Sequence, residues 1–252
     1  GHCNTRTMLP KDHPRHLSLK YRNLIENGVK NGIVTPTGMI AHGRGEAFDY
    51  LIGEKTTKNA EKAAEAAAAM MLLAERPVIS VNGNAAVLAV AEIIKVAKVC
   101  SAKIEANVFY PPAGKRKKMI VGLFRKKGAH ILGRITDAKI KGLSSERANV
   151  SKEGIYSADV VLVMLEDGNR TEALRKAGKK VIAIDLNPLS RTARKADITI
   201  VDNIVRALPL MEKKARALKK KNRTQLRNIV KKFSNSRNLN ESMKIIAKRA
   251  VE

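Results

Sequence analysis

Apolar positions along this chain follow two spacings in turn. In residues 13–31, Leu17, Tyr21, Leu24, Ile25 and Val29 recur near helical spacing, the mark of a helix with one buried face. Gly32 breaks that pattern, and Pro36 and Gly38 mark a turn. A glycine-bearing stretch follows, AHGRGEAFDYLIGEKTT over residues 41–57. Residues 58–75 (KNAEKAAEAAAAMMLLAE) predict a strong helix, since Ala, Leu, Met, Glu and Lys are the best helix formers and no breaker interrupts them. The Ala-rich face of that helix permits close packing.

From residue 77 onward, short apolar runs alternate with helical patterns. PVISVNG (77–83), KIEANVF (103–109), HILGRI (130–135), DVVLVML (159–165), KVIAIDL (180–186) and ITIVD (198–202) read as strands. Residues 85–100, 115–127 and 170–178 read as the helices between them. This rhythm predicts an α/β protein, with a mainly parallel sheet and helices on both faces. Such sheets bind ligands at the carboxyl ends of their strands, near a topological switch. The expected organisation is a single domain over residues 1–252: a helical N-terminal arm (13–75), a sheet core (77–203) and a basic helical C-terminal extension (204–252).

Composition narrows the picture. A hydrophobic fraction of 44% in 252 residues supports a sizeable core, and an aromatic fraction of 3% with no Trp means that aliphatic side chains build it. No apolar run approaches the roughly 20 residues of a membrane helix, and the start lacks a secretory pattern. Gly1 and His2 read as part of a tag remnant over residues 1–7, with Met8 as the native start. That leaves Cys100 as a lone thiol, unable to form an intrachain disulfide or a paired-cysteine metal site. A cytoplasmic protein is expected.

Charge adds a competing possibility. The chain carries 49 Lys and Arg against 23 Asp and Glu. Seven basic residues and no acid fall within 115–127, and 14 basic against 3 acidic residues within 211–252. Such a balance raises the prospect of a nucleic-acid-binding protein using the basic tail. Two solvated helix faces explain the same charge. The tail also lacks interleaved aromatics for stacking on bases, so a nucleic-acid partner is not the favoured reading.

Three polar clusters carry candidate chemistry. His42-Gly43-Arg44-Gly45-Glu46, with Asp49, sets two glycines around an arginine and allows close backbone approach to a ligand; an Arg44–Glu46 pair in a turn is the structural alternative. Phe48 occupies the third glycine position of a dinucleotide fingerprint, and no GxxxxGK[ST] phosphate loop occurs. Asn82-Gly83-Asn84 joins a strand to a helix, where amides can serve as caps or contact an anion. Glu166-Asp167-Gly168-Asn169-Arg170-Thr171, the stretch from Asp185 to Thr192, and Asp202-Asn203 close three successive strands and suggest a shared polar crevice. Asp or Asn there can take ribose hydroxyls, and Ser190 with Arg191 can take phosphate. His13 and His16 lack partners at convincing spacing, so no metal ligands are assigned.

The segments GMIAHGRGEAFDYLIGEKTT, RPVISVNGN, GIYSADVVLV, LEDGNRTEAL and IDLNPLSRTARKADITIVDN resemble the archaeal 4-phosphopantoate–β-alanine ligases, also called phosphopantothenate synthetases. The likeness runs from about His13 to about Arg206, and the basic stretch and the tail lie outside it. The resemblance implies a Rossmann-like fold, a homodimer and a reaction on the route to coenzyme A. In that reaction ATP and Mg2+ drive the joining of 4-phosphopantoate to β-alanine through an acyl-adenylate, giving 4'-phosphopantothenate, AMP and diphosphate. It implies an ATP site of Arg22, Arg44, Asp185, Leu186, Asn187, Ser190, Arg191, Asp202 and Asn203. Arg44 or Arg191 would stabilise charge at the α-phosphate, and His42, Glu46 or Asp49 would take the amine proton. Asn82, Asn84, Lys55 and Arg147 are the candidate contacts to the acid substrate. A tail outside the likeness is expected to be dispensable for turnover.

Overall fold

A computed structural model describes residues 10–251. The expectations for Gly1, His2, Cys3 and Met8 lie outside the described residues.

Three helices open the described chain: α1 (His16–Lys30), α2 (Pro36–Ile52) and α3 (Lys58–Leu73). The turn expected around Pro36 and Gly38, and the glycine-bearing stretch after it as far as Ile52, are instead the body of α2. Thr35 caps that helix, its hydroxyl accepting from the Gly38 amide at 3.0 Å, and Pro36 sits at the first helical position. Glycine weakens a helix by only about 1 kcal/mol, and close packing here requires it. A Cβ on Gly38 would lie 2.6 Å from Asn84 Oδ1. Gly53, at φ +91°, ends α2 in the left-handed conformation.

The sheet is built from β1 (Pro77–Val81), β2 (Lys103–Ala106), β5 (Val160–Met164), β6 (Lys180–Ile184) and β7 (Ile198–Ile200). Its order is β2-β1-β5-β6-β7, with every neighbouring pair parallel. The connecting helices are α4 (Gly83–Cys100), α5 (Ala113–Lys126), α6 (Gly168–Lys176) and α7 (Arg191–Lys195). A small antiparallel ladder, β3 (Ala138–Lys139) with β4 (Asn149–Val150), lies in the long crossover before β5 and has no sequence signal of its own. The strand expected over 130–135 shrinks to one bridge between Leu132 and Glu105, because Gly133 turns the chain away at φ +108°.

Alternation along the strands sorts their side chains onto two faces. Ile79, Val81, Leu162, Met164, Ile182 and Ile184 join one core cluster with the buried alanines of α3 and the apolar side of α4. Val78, Val161, Val163, Val181 and Ala183 join a second cluster with Ala173 and Leu174 of α6. The alanine face of α3 thus lies in the core, packed closely against α8, α9 and β7.

The basic C-terminal segment forms α8 (Ile204–Leu218), α9 (Arg223–Lys232) and α10 (Asn235–Arg249). It belongs to the packed body. α8 lies against α3 and α4, α9 against α3, and α10 against α2, α3, α7 and β7. Asn235 Oδ1 accepts from the Thr199 amide at 2.8 Å, and Asn238 Nδ2 donates to the Thr199 carbonyl at 2.7 Å. These amides pair the outer edge of β7, which would otherwise present open backbone groups.

Candidate active site

The chain runs outward from β1 to β2, then crosses back to β5 and continues to β6 and β7. The strand order therefore reverses between β1 and β5, where a parallel sheet opens a crevice at its carboxyl ends. A crevice of about 650 Å3 lies there, lined from the residues after β2, across β1 and β5, to the residues after β6, and walled by α2.

Asn82 sits at the split. Its Oδ1 accepts from the Ala85 amide at 3.0 Å and caps α4, while Nδ2 donates to the carbonyls of Met164 at 2.9 Å and Leu165 at 3.2 Å. One side chain thus ties the ends of β1 and β5 together. Asn84 donates to the Gly38 carbonyl at 2.8 Å and fixes α2 over the crevice. Gly83 between them admits the Ile33 carbonyl, which a Cβ would meet at 2.2 Å. Both amides line the crevice, and both also hold its walls in place.

The β6 end supplies Asp185, Leu186, Asn187 and Ser190. Asp185 accepts from Ser190 Oγ at 2.6 Å and from the Asn187 amide at 2.9 Å. Burial pushes its carboxyl above the usual range, against those two hydrogen bonds and the Arg44 charge. Arg44 reaches the crevice from α2.

The β5 end carries a buried ionic knot. Glu166 accepts from Arg170 Nη1 at 2.5 Å and is also paired with Arg147, which pairs with Asp167 as well. Burial pushes the Glu166 carboxyl up, but Arg147 and Arg170 outweigh it and hold the group below its ordinary value. The Arg147 guanidinium lies 4.9 Å from the centre of the Phe109 ring.

The helical form of α2 divides the first cluster. Ala41, Arg44, Gly45 and Phe48 face the crevice, while His42 and Glu46 face a second concavity between α1 and α2. There Arg22 donates to Glu46 at 2.7 and 2.6 Å, and Ser18 donates at 3.1 Å. The Arg44–Glu46 pair of a turn is replaced by this Arg22–Glu46 pair. Burial pushes the His42 imidazole below its usual value, with Glu46 opposing and Arg22 adding to the shift.

Asp202 and Asn203, at the end of β7, turn to other partners. Asp202 accepts from Thr56 at 2.5 Å and from Arg206 Nη2 at 2.7 Å. Asn203 Nδ2 donates to Asp49 at 2.9 Å, and Arg206 also pairs with Asp49. Arg191 points outward to Asn169 Oδ1 at 2.8 Å and Glu172 at 3.0 Å. Lys55 is exposed between α2 and α3. Of the expected residues, the structure brings together Arg44, Asn82, Asn84, Arg147, Asp185, Leu186, Asn187 and Ser190 around one crevice. Arg22, His42 and Glu46 share the other concavity. Arg116, Phe109 and Tyr110 line the crevice without having been legible as site residues. Arg116 is masked by the basic run around it. Among the described residues, no three His, Cys, Asp or Glu gather as metal ligands, and no helix is long and apolar enough to cross a membrane.

The profile of the phosphopantothenate/pantothenate synthetase family matches residues 59–249. The chain is 53% identical over 235 residues to a 4-phosphopantoate–beta-alanine ligase of Thermococcus onnurineus, covering 92% of this chain and 90% of that one. It is 48% identical over 237 residues to the ligase of that name from Methanosarcina mazei, covering 94% and 93% of the two chains. The family match runs on through the basic stretch at 115–127 and the C-terminal helices, beyond the expected limit at Arg206.

Proposed function

The chain belongs to the phosphopantothenate/pantothenate synthetase family, and from that membership we propose that it is the ligase joining 4-phosphopantoate to β-alanine on a route to coenzyme A. The observation that carries the site assignment is the crevice at the β1/β5 reversal, where acidic, amide and guanidinium groups converge. No observation favours the nucleic-acid alternative: the basic C-terminal helices lie within the family match, and their apolar sides are packed against the body.

ATP supplies the driving force in this reading. Its fit rests on the β6 end of the crevice, where Asp185 has hydrogen-bonding groups arranged around it and Arg44 stands, among the described residues, without a carboxylate in hydrogen-bond contact. Asp185, Leu186, Asn187 and Ser190 would hold the nucleotide. Mg2+ fits as a companion of the phosphates, because Mg2+ typically keeps several waters and leans on substrate oxygens. An acid carboxylate resists amine attack because oxide is a poor leaving group. A carboxylate oxygen of 4-phosphopantoate therefore attacks the α-phosphorus, the bond to the β-phosphate oxygen breaks, and diphosphate departs. Arg44 is placed to stabilise the charge that develops there. The β-alanine amine then attacks the acyl carbon, AMP departs, and the amine loses a proton. The cytoplasm, where ATP is available, is the compartment this chemistry requires.

A homodimer is part of the same reading. Leu17, Ile40 and Tyr50 are 58%, 62% and 68% exposed on α1 and α2, apolar side chains whose burial would favour association. A second copy seated there would give Arg22, His42 and Glu46 a route into a shared site. Sedimentation equilibrium should read twice the chain mass, and a monomer at micromolar concentration would refute the pairing.

The function is tested by omission. Purified protein with ATP, Mg2+, 4-phosphopantoate and β-alanine should release AMP and 4'-phosphopantothenate, and product should vanish when either acid or amine is left out. Product formation without β-alanine dependence would overturn the assignment.

A further inference from the structure

Three arginines line the crevice, and they differ in how their charge is balanced. Arg147 is committed to Glu166 and Asp167. Arg44 stands toward the β6 end, where its charge acts on Asp185. Arg116, on α5, lies at the opposite end, beside Phe109 and Tyr110 after β2. Its Nη1 donates to the Tyr110 carbonyl at 2.6 Å, which orients the guanidinium. Its Nε is enclosed and has no hydrogen-bond partner, and no carboxylate forms an ion pair with it among the described residues.

A half-buried guanidinium with an unpartnered Nε and no carboxylate beside it is an unfavourable arrangement in the free protein, because burial penalises the charge and one carbonyl hydrogen bond repays only part of it. Burial indeed lowers the Arg116 pKa with no acid opposing the shift. An anionic ligand group in the crevice would supply the missing counter-charge. The acid substrate of the proposed reaction carries two anionic ends, a carboxylate that must meet the nucleotide and a phosphoryl group that must not. With the nucleotide at the β6 end, the phosphoryl end is left to the β2 side.

We propose that Arg116 is the specificity residue for the phosphorylated acid, holding its phosphoryl oxygens at the β2 end of the crevice. The inference rests on the ligase reading above. A guanidinium held by one Nη presents its remaining N–H groups as a planar fork, which matches phosphate oxygens. The neighbouring Arg147, already neutralised by two carboxylates, closes the wall without competing for the ligand.

The test compares Arg116→Gln and Arg116→Lys with the parent protein in three readings: KM for 4-phosphopantoate, KM for ATP, and Ki for unphosphorylated pantoate as a competitive inhibitor. Loss of a charge-assisted hydrogen bond predicts a rise of about 10- to 100-fold in the phosphopantoate KM for Arg116→Gln. The ATP KM and the pantoate Ki should stay within about 2-fold, since neither reports on a phosphoryl contact at that end. Arg116→Lys should recover part of the loss, as it keeps the charge without the fork, and it carries the test if the glutamine variant fails to fold. An unchanged phosphopantoate KM in both variants overturns the proposal. So does an equal weakening of pantoate and phosphopantoate, which would make Arg116 a wall of the pocket only. A parent protein that fails to turn over 4-phosphopantoate at all refutes the ligase reading instead, so the two failures are distinguishable.

Discussion

Glu166 shows how single residues set the electrostatics of the crevice. Its side chain is 4% exposed, with Arg170 fully buried on one side and Arg147 on the other. Two guanidiniums face two carboxylates, Glu166 and Asp167, so the knot is balanced in charge, and removing either cation leaves an uncompensated acid beside a buried one. Since the folded-state carboxyl is held below its ordinary value, its stabilising contribution is fully present above the unfolded carboxylate pKa. It is lost as pH falls through the lowered folded value. Arg147→Met removes one of the two cations and lets burial prevail. The variant should lose about 3 kcal/mol at neutral pH, and the acid limb of its stability curve should move to higher pH. Thermal unfolding across pH 3–8 reads both effects; an acid limb coincident with that of the parent would show that Arg147 does not govern Glu166. None of this pairing was legible in the sequence. Glu166 and Asp167 stood out as acids at a strand end, but Arg147 is some twenty residues upstream, in a loop whose return to β5 no local pattern signals. Arg206 was equally hidden, although its spacing of four from Asp202, just ahead of α8, offered a clue.

Elements were legible where a single period runs unbroken. The sheet strands announce themselves as apolar runs, and α3 by its alanines, because burial on both faces demands nothing else of those residues. α2 was misleading because glycine reads as a breaker, while the structure uses Gly38 for close approach to Asn84. That difference decides the site, since a turn would gather His42, Arg44 and Glu46 and a helix separates them. The C-terminal helices show the opposite error. Their charge suggested an appendage, but Leu218, Leu226 and Leu239 are buried, and α10 covers the edge of β7. Removing three such leucines forfeits about 5–9 kcal/mol, comparable to the whole stability of a domain. Contrary to the expectation that the tail is dispensable for turnover, a chain ended at Lys214 should therefore lose its cooperative thermal transition and its activity together. A shortened chain that melts like the parent and turns over normally would contradict the packing role of α9 and α10.

At the scale of the whole molecule, the reversal of strand order between β1 and β5 creates the crevice, and the polar residues after β1, β5 and β6 furnish it. The parallel sheet was legible from the alternation of strands and helices, and the furnishing residues from their positions at strand ends. The strand order was not, because β5 returns beside β1 only after a crossover of more than fifty residues, from Ala106 to Val160, and no local pattern within it says where the chain returns. The central claim is that this crevice activates the acid by moving AMP onto its carboxylate. Isotope transfer tests it most directly. With 4-phosphopantoate labelled with 18O in both carboxylate oxygens, one labelled oxygen should leave with AMP and be read by mass spectrometry of the released nucleotide. Label appearing in orthophosphate alongside ADP, with AMP absent, would contradict the account.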